Sequence, residues 1–505
     1  MHSRALLEVN HAVRRPVEAE LTATHDSDAG YFDMKRRFGH AVIAITAGLA
    51  LLAPAPSQTV TNIRRGAVLD PSFANHGVRE LPGESAFTAY GTVTRRGDLL
   101  VSGGSGVQVL NDEGDAGKAF GRVGSLKLPP AKGREFQLSD FTIDRQGRLL
   151  VVGDSFFSES ENPSPFLENG ARAFRPGVVR ILRFLPDGDL DASFGRGGVV
   201  ETDLGLPAPL GTDGKLLGPH PSVQATGVAA DPQGRIVVTG SAVVRLGEAC
   251  EHDSFAATSV EAGFVARFIS SGTPDLDFGE DGRVGGRDLS ENALGAEAIG
   301  EPVVGPRGGI TYESLGVYAC ERWRSHFGIA QLTPNGHNRK TFGRGGAIVG
   351  PFRALADGSH GAVFALAEEP RNEKDPVRAR VLRIAPDGKL DRSFGRDGQT
   401  RVRLGPSFGT ILNSLAVDRR GRVLVGGTLQ ARKGTSIVLM RVSARGRWET
   451  KFGPHGRVAT PVRYLTQFGA SDLFFGRRGR LVTVHQYAEE TKGRSGLVVA
   501  RYLLR

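Results

Sequence analysis

The sequence predicts an all-β protein: a seven-bladed β-propeller of four-stranded antiparallel blades, closed by an N-terminal strand that completes the last blade. Three observations predict it. A short phrase centred on Phe recurs seven times along the chain. Between its copies lie apolar runs of five to eight residues, rich in Val, Ile and Leu and bounded by Gly, Asp and Pro. The last unit ends after its third run, while an orphan fourth run stands ahead of the first unit. Runs of that length follow strand periodicity rather than helix periodicity. Four antiparallel strands repeated around an axis make a propeller.

Composition agrees. With 69 Gly and 27 Pro in 505 residues, the chain turns often. Its 39% hydrophobic and 23% charged content excludes a polytopic membrane protein and a disordered chain. Two Cys exclude a disulfide-framed mini-fold and a cysteine-rich zinc protein. The net charge of +10 is dispersed, with arginines set at turns such as "RRGR" and "RQGR". That spread argues against a nucleic-acid partner.

Taken in order, residues 1–33 are polar and aperiodic and read as a non-native extension. Residues 34–58 read as a signal peptide: Lys35, Arg36 and Arg37 precede an uncharged run from Ala41 to Ala53, then small residues and prolines. The run is too short to span a bilayer comfortably, so a membrane anchor is the rival reading. Residues 61–505 form the propeller. The closing strand is placed at 66–82, and the blades at about 85–129, 136–204, 222–288, 295–350, 351–404, 410–461 and 467–505.

Each unit reads as strand, tight turn, strand, loop, strand, Asp-Gly…Phe-Gly turn, strand. The phrase is clearest in "LPDGDLDASFGRGGVV" at 185–200 and "APDGKLDRSFGRDGQTRV" at 385–402. Its aromatics are Phe73, Phe120, Phe194, Phe278, Phe342, Phe394 and Phe452, expected as wedges between neighbouring sheets. Asp187-Gly188, Asn335-Gly336 and Asp387-Gly388 suit turns that need positive φ. The orphan "GAVLDPSFANHGVREL" at 66–81 supplies the missing fourth strand of the last unit and leaves no open edge.

The phrase "PDGxLDxSFGxxG" resembles the bacterial delta-60 repeat, and the resemblance spans roughly 66–505. It implies an exported, repeat-built propeller and carries no agreed catalytic residues.

Three candidate sites follow. Aligning the innermost strands on their turn glycines puts Tyr90, Asp140, Gly227, Glu301, Ala354, Ser414 and Asp472 at one level of the central channel. Of these, Asp140, Glu301 and Asp472 could hold a cation or act as acid and base. The plainer reading is polar residues solvated or bonded to backbone. Second, long connections at 158–176, 205–221, 245–262 and 317–325 all emerge on one face. They carry Phe157, Phe166, Phe255, Tyr318 and Trp323, with Arg322 and Arg324 flanking the Trp, a composition typical of interface anchors. Third, Cys250 and Cys320 lie in loops of adjacent units and could bridge them, or stay as two free thiols.

No cofactor is expected. The acidic turns "DGDLD" at 187–191 and "DLDFGEDG" at 275–282 resemble Ca2+ loops in part, but their spacing suits turn capping better. Gly405-Pro406-Ser407-Phe408-Gly409 fits G-x-S-x-G, yet it sits between strands with no helix to form an elbow. The sequence therefore predicts a secreted or cell-surface monomer that binds an extracellular polymer, glycan or surface protein through the decorated face. Alternatives are a hydrolase or lyase working through the channel carboxylates, and a purely structural surface protein.

Overall fold

A computed structural model describes residues 66–505 apart from 84–88, 103–105, 119–123, 132, 158–175, 212–213, 247–258, 286–297, 316–317, 320–321, 324–327, 359–360, 369–377, 404–410, 432–433, 463–464, 466–471 and 490–492. The expected extension and signal peptide, Phe120, Phe166, Phe255, Arg324, Ser407 and both cysteines lie outside the described residues.

Seven antiparallel blades follow one another. Blade 1 is Tyr90–Val93, Leu99–Ser102, Val107–Leu110 and Ser125–Leu126. Blade 2 is Glu135–Ile143, Leu149–Phe156, Gly177–Phe184 and Val199–Thr202. Blade 3 is Ser222–Ala230, Ile236–Leu246, Ser259–Phe268 and Arg283–Gly285. In blade 4 the innermost strand is split into Ala298–Ile299 and Val303–Val304, followed by Ile310–Leu315, Gly328–Leu332 and Ala347–Val349. Blade 5 is Phe352–Asp357, Val363–Glu368, Arg378–Ile384 and Gln399–Arg403. Blade 6 is Ile411–Val417, Val423–Ala431, Gly434–Val442 and Arg457–Pro461. Blade 7 is Asp472–Phe475, Leu481–Glu489 and Arg494–Leu504.

The front of the chain completes blade 7. Ala67–Leu69 pairs with 502–504 and Val78–Pro82 with 496–500 of the same strand. The ring thus closes as the repeat count predicts, and the last blade has no bare outer edge. Two refinements go beyond the sequence. Blades 2 and 3 are stitched by a parallel bridge between Ser222 and Gly177. A small hairpin, Tyr318–Ala319 with Arg322–Trp323, stands within the decorated connection of blade 4.

The core is divided among the seams. Seven apolar clusters each join two neighbouring blades. Both faces of a blade are therefore covered, which is why a strand such as Gly177–Phe184 is buried along its whole length. Phe73, Phe194, Phe278, Phe342, Phe394 and Phe452 are the wedges, all buried. Each is worth roughly 1.5–3 kcal/mol on apolar burial.

An arginine latch accompanies the wedge. In blades 2, 3, 6 and 7 the guanidinium of Arg183, Arg267, Arg441 or Arg501 lies 4.4–4.6 Å from the ring centroid of Phe194, Phe278, Phe452 or Phe73. Its Nε donates to Asp191, Asp275, Glu449 or Asp70 at 2.7–3.0 Å. Its Nη1 reaches a carbonyl of the next blade: Ser270, Pro334, Arg505 or Asp112. The backbone repeats the fastening, since N–H of Gly195, Gly279, Gly343 and Gly395 each donates across the seam to Ser271, Asn335, Gly388 and Arg445. Blade 4 reverses the latch. Gln331 takes the arginine position, and Arg339, in the acidic position, donates to Pro386 O at 2.5 Å.

Candidate functional site

The innermost strands carry a bulge that sets the channel residues. In blades 2, 3, 5 and 6 the register slips immediately before Asp140, Gly227, Ala354 and Ser414. Glycine opposite makes room in three of them. A Cβ at Gly153, Gly240 or Gly427 would lie 2.0–2.1 Å from a backbone oxygen of the bulged strand. In blade 7 the equivalent position is His485, buried and without a hydrogen-bond partner at either nitrogen. Burial alone holds its pKa down at about 3, so it is neutral.

Asp140 and Asp472 play the same part at two seams. Asp140 accepts from its own neighbour Phe141 N at 2.7 Å and from Val228 N of blade 3 at 2.8 Å. Asp472 accepts from Leu473 N at 2.6 Å and from Gly91 N of blade 1 at 2.8 Å. Both carboxylates are thus inter-blade acceptors, as the plainer sequence reading anticipates, rather than open channel ligands. Asp154 adds another such bond, to Ala225 N at 2.7 Å.

Glu301 differs. It stands in the break of blade 4's inner strand, with part of the residue open to solvent and its carboxyl packed within protein. Its flanking carbonyls are fastened to blade 3, Ile299 O by Thr226 Oγ1 and Gly300 O by Thr239 Oγ1 at 2.8 Å. Protein surrounding it, together with the like charges of Asp140, Asp472 and Glu313, pushes its carboxyl well above the usual range. Burial raises Asp140 to about 8 against its two N–H donors, with Asp472 adding like charge. Burial raises Asp472 to about 6 against the N–H donors of Gly91 and Leu473. Burial likewise raises Glu313 to about 7, moderated by Arg353, and leaves its Oε1 without a hydrogen bond. Backbone donors favour the charged form of the two aspartates, whereas no backbone donor offsets the upward shift of Glu301. The arrangement can exchange a proton at the channel. Among the described residues, no group of three or more His, Cys, Asp or Glu is placed to hold a metal ion.

The acidic turns serve the fold. Asp187 caps Asp189 N at 3.2 Å, while Asp191 and Asp275 are taken by Arg183 and Arg267. Hydrogen bonds from Ser193 and the charge of Arg183 outweigh burial and hold Asp191 below the usual carboxylate range.

On the decorated face, Phe157 corrects the sequence expectation. It is buried, stacked 3.8 Å from the His220 ring at 8°, with the Arg134 guanidinium 4.0 Å from its centroid. A ring covered in this way is a seam element rather than a ligand anchor. Tyr318 and Trp323 are paired across the small hairpin, with Arg322 opposite Ala319. The connection at 205–221 contributes what the sequence reading missed. Leu210 and Leu216 face each other in a β-bridge, Leu210 N donates to Val244 O at 3.0 Å, and the three side chains are 39%, 59% and 39% exposed. The available signal was four leucines in one long connection, Leu206, Leu210, Leu216 and Leu217.

A family model described as "Domain of unknown function (DUF5122) beta-propeller" matches residues 174–194, which hold one copy of the repeat phrase with its Arg183, Asp191 and Phe194. No curated protein matches the chain. Solved structures with similarity include Drosophila Semaphorin 1b, extracellular domains 1-2, at 10% identity, covering 86% of this chain and 88% of that one, with a TM-score of 0.36. Trypanosoma rangeli sialidase in complex with the inhibitor DANA is 11% identical over 84% of this chain and 59% of that one, TM-score 0.35. The PQQ-bound aldose sugar dehydrogenase of Streptomyces coelicolor is 12% identical over 72% and 94%, TM-score 0.33.

Proposed function

We propose that this propeller is an exported binding protein of the delta-60 repeat type, whose decorated face recognises an extracellular polymer, glycan or surface protein. The observation that carries the reading is the exposed apolar group of Leu210, Leu216 and Val244 beside the long connections of blades 2–4. A rigid ring pays nothing to present such loops, and clustered exposed apolar side chains mark interaction sites more often than scattered ones. The Tyr318–Trp323 hairpin adds aromatic residues to the same face. On this reading the protein acts as a monomer, Cys250 and Cys320 bridge two decorated loops, and the membrane is met only through an uncleaved signal.

The test is an array of cell-wall glycans, extracellular polymers and surface proteins probed with the mature protein, Leu216→Asp and Trp323→Ala. Binding that both substitutions weaken at least tenfold supports the reading. Binding indifferent to both removes it.

A second reading has one observation in its favour, the mutual proximity of Asp140, Glu301 and Asp472, whose carboxyls are all pushed above the usual range by burial, with like charge adding at Asp140 and Glu301. It makes the protein a hydrolase or lyase with Glu301 as the acid. Loss of turnover in Glu301→Gln, on a polymer the array identifies, is its test.

A further inference from the structure

The face opposite the long loops is made of the tight turns between the first and second strands and between the third and fourth. Arginine is not evenly spread over it. The first-to-second turns of blades 6, 7 and 1 carry the pairs Arg419–Arg420, Arg477–Arg478 and Arg95–Arg96, and these blades are consecutive across the closure. The same two positions are Pro232–Gln233 in blade 3 and Pro306–Arg307 in blade 4. All six arginines are exposed. Among the described residues none has an ion-pair or hydrogen-bond partner for its guanidinium, whereas in blades 6 and 7 the arginine two residues further on is engaged: Arg422 with Asp418 at 2.6 Å, and Arg480 with Asp70 and Asp112 at 3.1 Å.

The turns are also laid onto one another. A Cβ at Gly97 of blade 1 would lie 1.7 Å from Arg477 Cδ of blade 7, and one at Gly147 of blade 2 would lie 3.5 Å from Arg95 Cδ. Arg145 continues the series, with Nη1 donating to Pro232 O of blade 3 at 3.4 Å. The stems of blades 7, 1 and 2 therefore lean in one direction around the ring, and the exposed pair of blade 6 stands next in the same series of turns, so that the charged ends follow a curved track. Of the neighbouring acids, Asp418 and Asp112 are paired with the engaged arginines, Asp98 in the turn of Arg95 and Arg96 accepts from Thr94 Oγ1 at 3.3 Å, and the exposed Glu113 and Asp115 belong to the outer turn of blade 1.

We propose that this track is a second binding surface and that its ligand is an acidic polysaccharide, its carboxylates held by the arginine forks. An unpaired guanidinium is a planar, weakly hydrated donor matched to carboxylate in two-point contact. A row of them fits a chain with repeating negative charge. The exposed large apolar side chains among the described residues lie elsewhere, at Leu210, Leu216, Val244, Ile269, Leu276 and Val349. The track thus has no apolar wedge to enter a bilayer. The six positions offer no aromatic ring on which nucleobases would stack.

The test measures binding of the full mature chain to polygalacturonate, with dextran, duplex DNA and anionic phosphatidylglycerol vesicles in parallel. Binding to polygalacturonate and not to dextran is expected, weakening as salt rises. Each pair substitution, R419Q/R420Q, R477Q/R478Q or R95Q/R96Q, should weaken it at least about threefold, and all six together about 100-fold. R392Q/R396Q, which removes equal charge from exposed positions of blade 5, should leave it unchanged, as should Leu216→Asp on the other face. An unaltered melting temperature shows that a weakened variant is folded. No binding to polygalacturonate, equal loss from R392Q/R396Q, or tighter binding to DNA or vesicles overturns the proposal.

Discussion

Arg501 Nε donates to Asp70 Oδ2 at 3.0 Å, and both side chains are 2% exposed. Every other latch of this kind is drawn from one continuous repeat; here the arginine comes from the end of the chain and the acid from its front. Ser72 and Phe73 travel with Asp70, so the whole phrase is divided between the two strands that close the ring. Hydrogen bonds from Ser72 and the charges of Arg501 and Arg480 outweigh burial and hold Asp70 below the usual carboxylate range.

Breaking that pair should be costly. Arg501→Met leaves a buried carboxylate facing Arg480 alone, and Asp70→Asn leaves a buried guanidinium. Each is expected to lower stability by about 3–5 kcal/mol, with the double variant losing less than the sum. Urea unfolding followed by tryptophan fluorescence and near-ultraviolet circular dichroism measures both.

Acid should act through the same carboxylates. Asp70, Asp191 and Asp391 have folded pKa values below their unfolded ones. Their contribution is complete above the unfolded pKa, near 4, and is lost as pH falls through the lower folded values. Melting temperature should therefore fall steeply below about pH 4, and the fall should be shallower in Asp191→Asn.

At the channel the sign reverses. Asp472, Glu313 and Asp140 are raised to about 6, 7 and 8. The folded state binds more protons than the unfolded one between their ordinary values and these, so stability declines as pH rises through that window. Glu301→Gln removes one like charge and should raise the melting temperature at pH 8–9 while changing little at pH 5, a comparison that differential scanning calorimetry makes directly.

Seam glycines should resist substitution. Gly446 has φ of +73°, and a Cβ there would lie 2.1 Å from Gly395 N of the previous blade. Gly446→Ala should cost at least about 2 kcal/mol through backbone strain and loss of the seam bond. Gly479 has φ of +70° but open space around it, so Gly479→Ala should cost only about 1 kcal/mol.

Blade number, closure and wedge positions were legible because each repeats, and repetition turns a weak local pattern into a strong one. The latch left a spacing in the sequence, with Arg183, Arg267 and Arg441 each eight residues ahead of an acid, but that spacing alone does not tell the buried latch from an ordinary surface pair. What escaped the sequence lies across seams. Nothing near Asp140 or Asp472 announces that Val228 N or Gly91 N will meet it, because the register between blades is set by packing rather than by chain neighbours. Phe157 looked like a free loop aromatic because Arg134 and His220, which cover it, belong to other segments. Glu301 stands apart from its aligned partners because blade 4's inner strand is broken at that point.

The closure itself is best tested by removing it and giving it back. Thermal unfolding of a chain lacking 61–82 is compared with the intact protein, then repeated with a synthetic peptide of residues 66–82 added. The expected result is loss of the cooperative transition, or aggregation, on deletion and its recovery with the peptide. An unchanged melting temperature in the shortened chain would show that the ring does not depend on its own front strand.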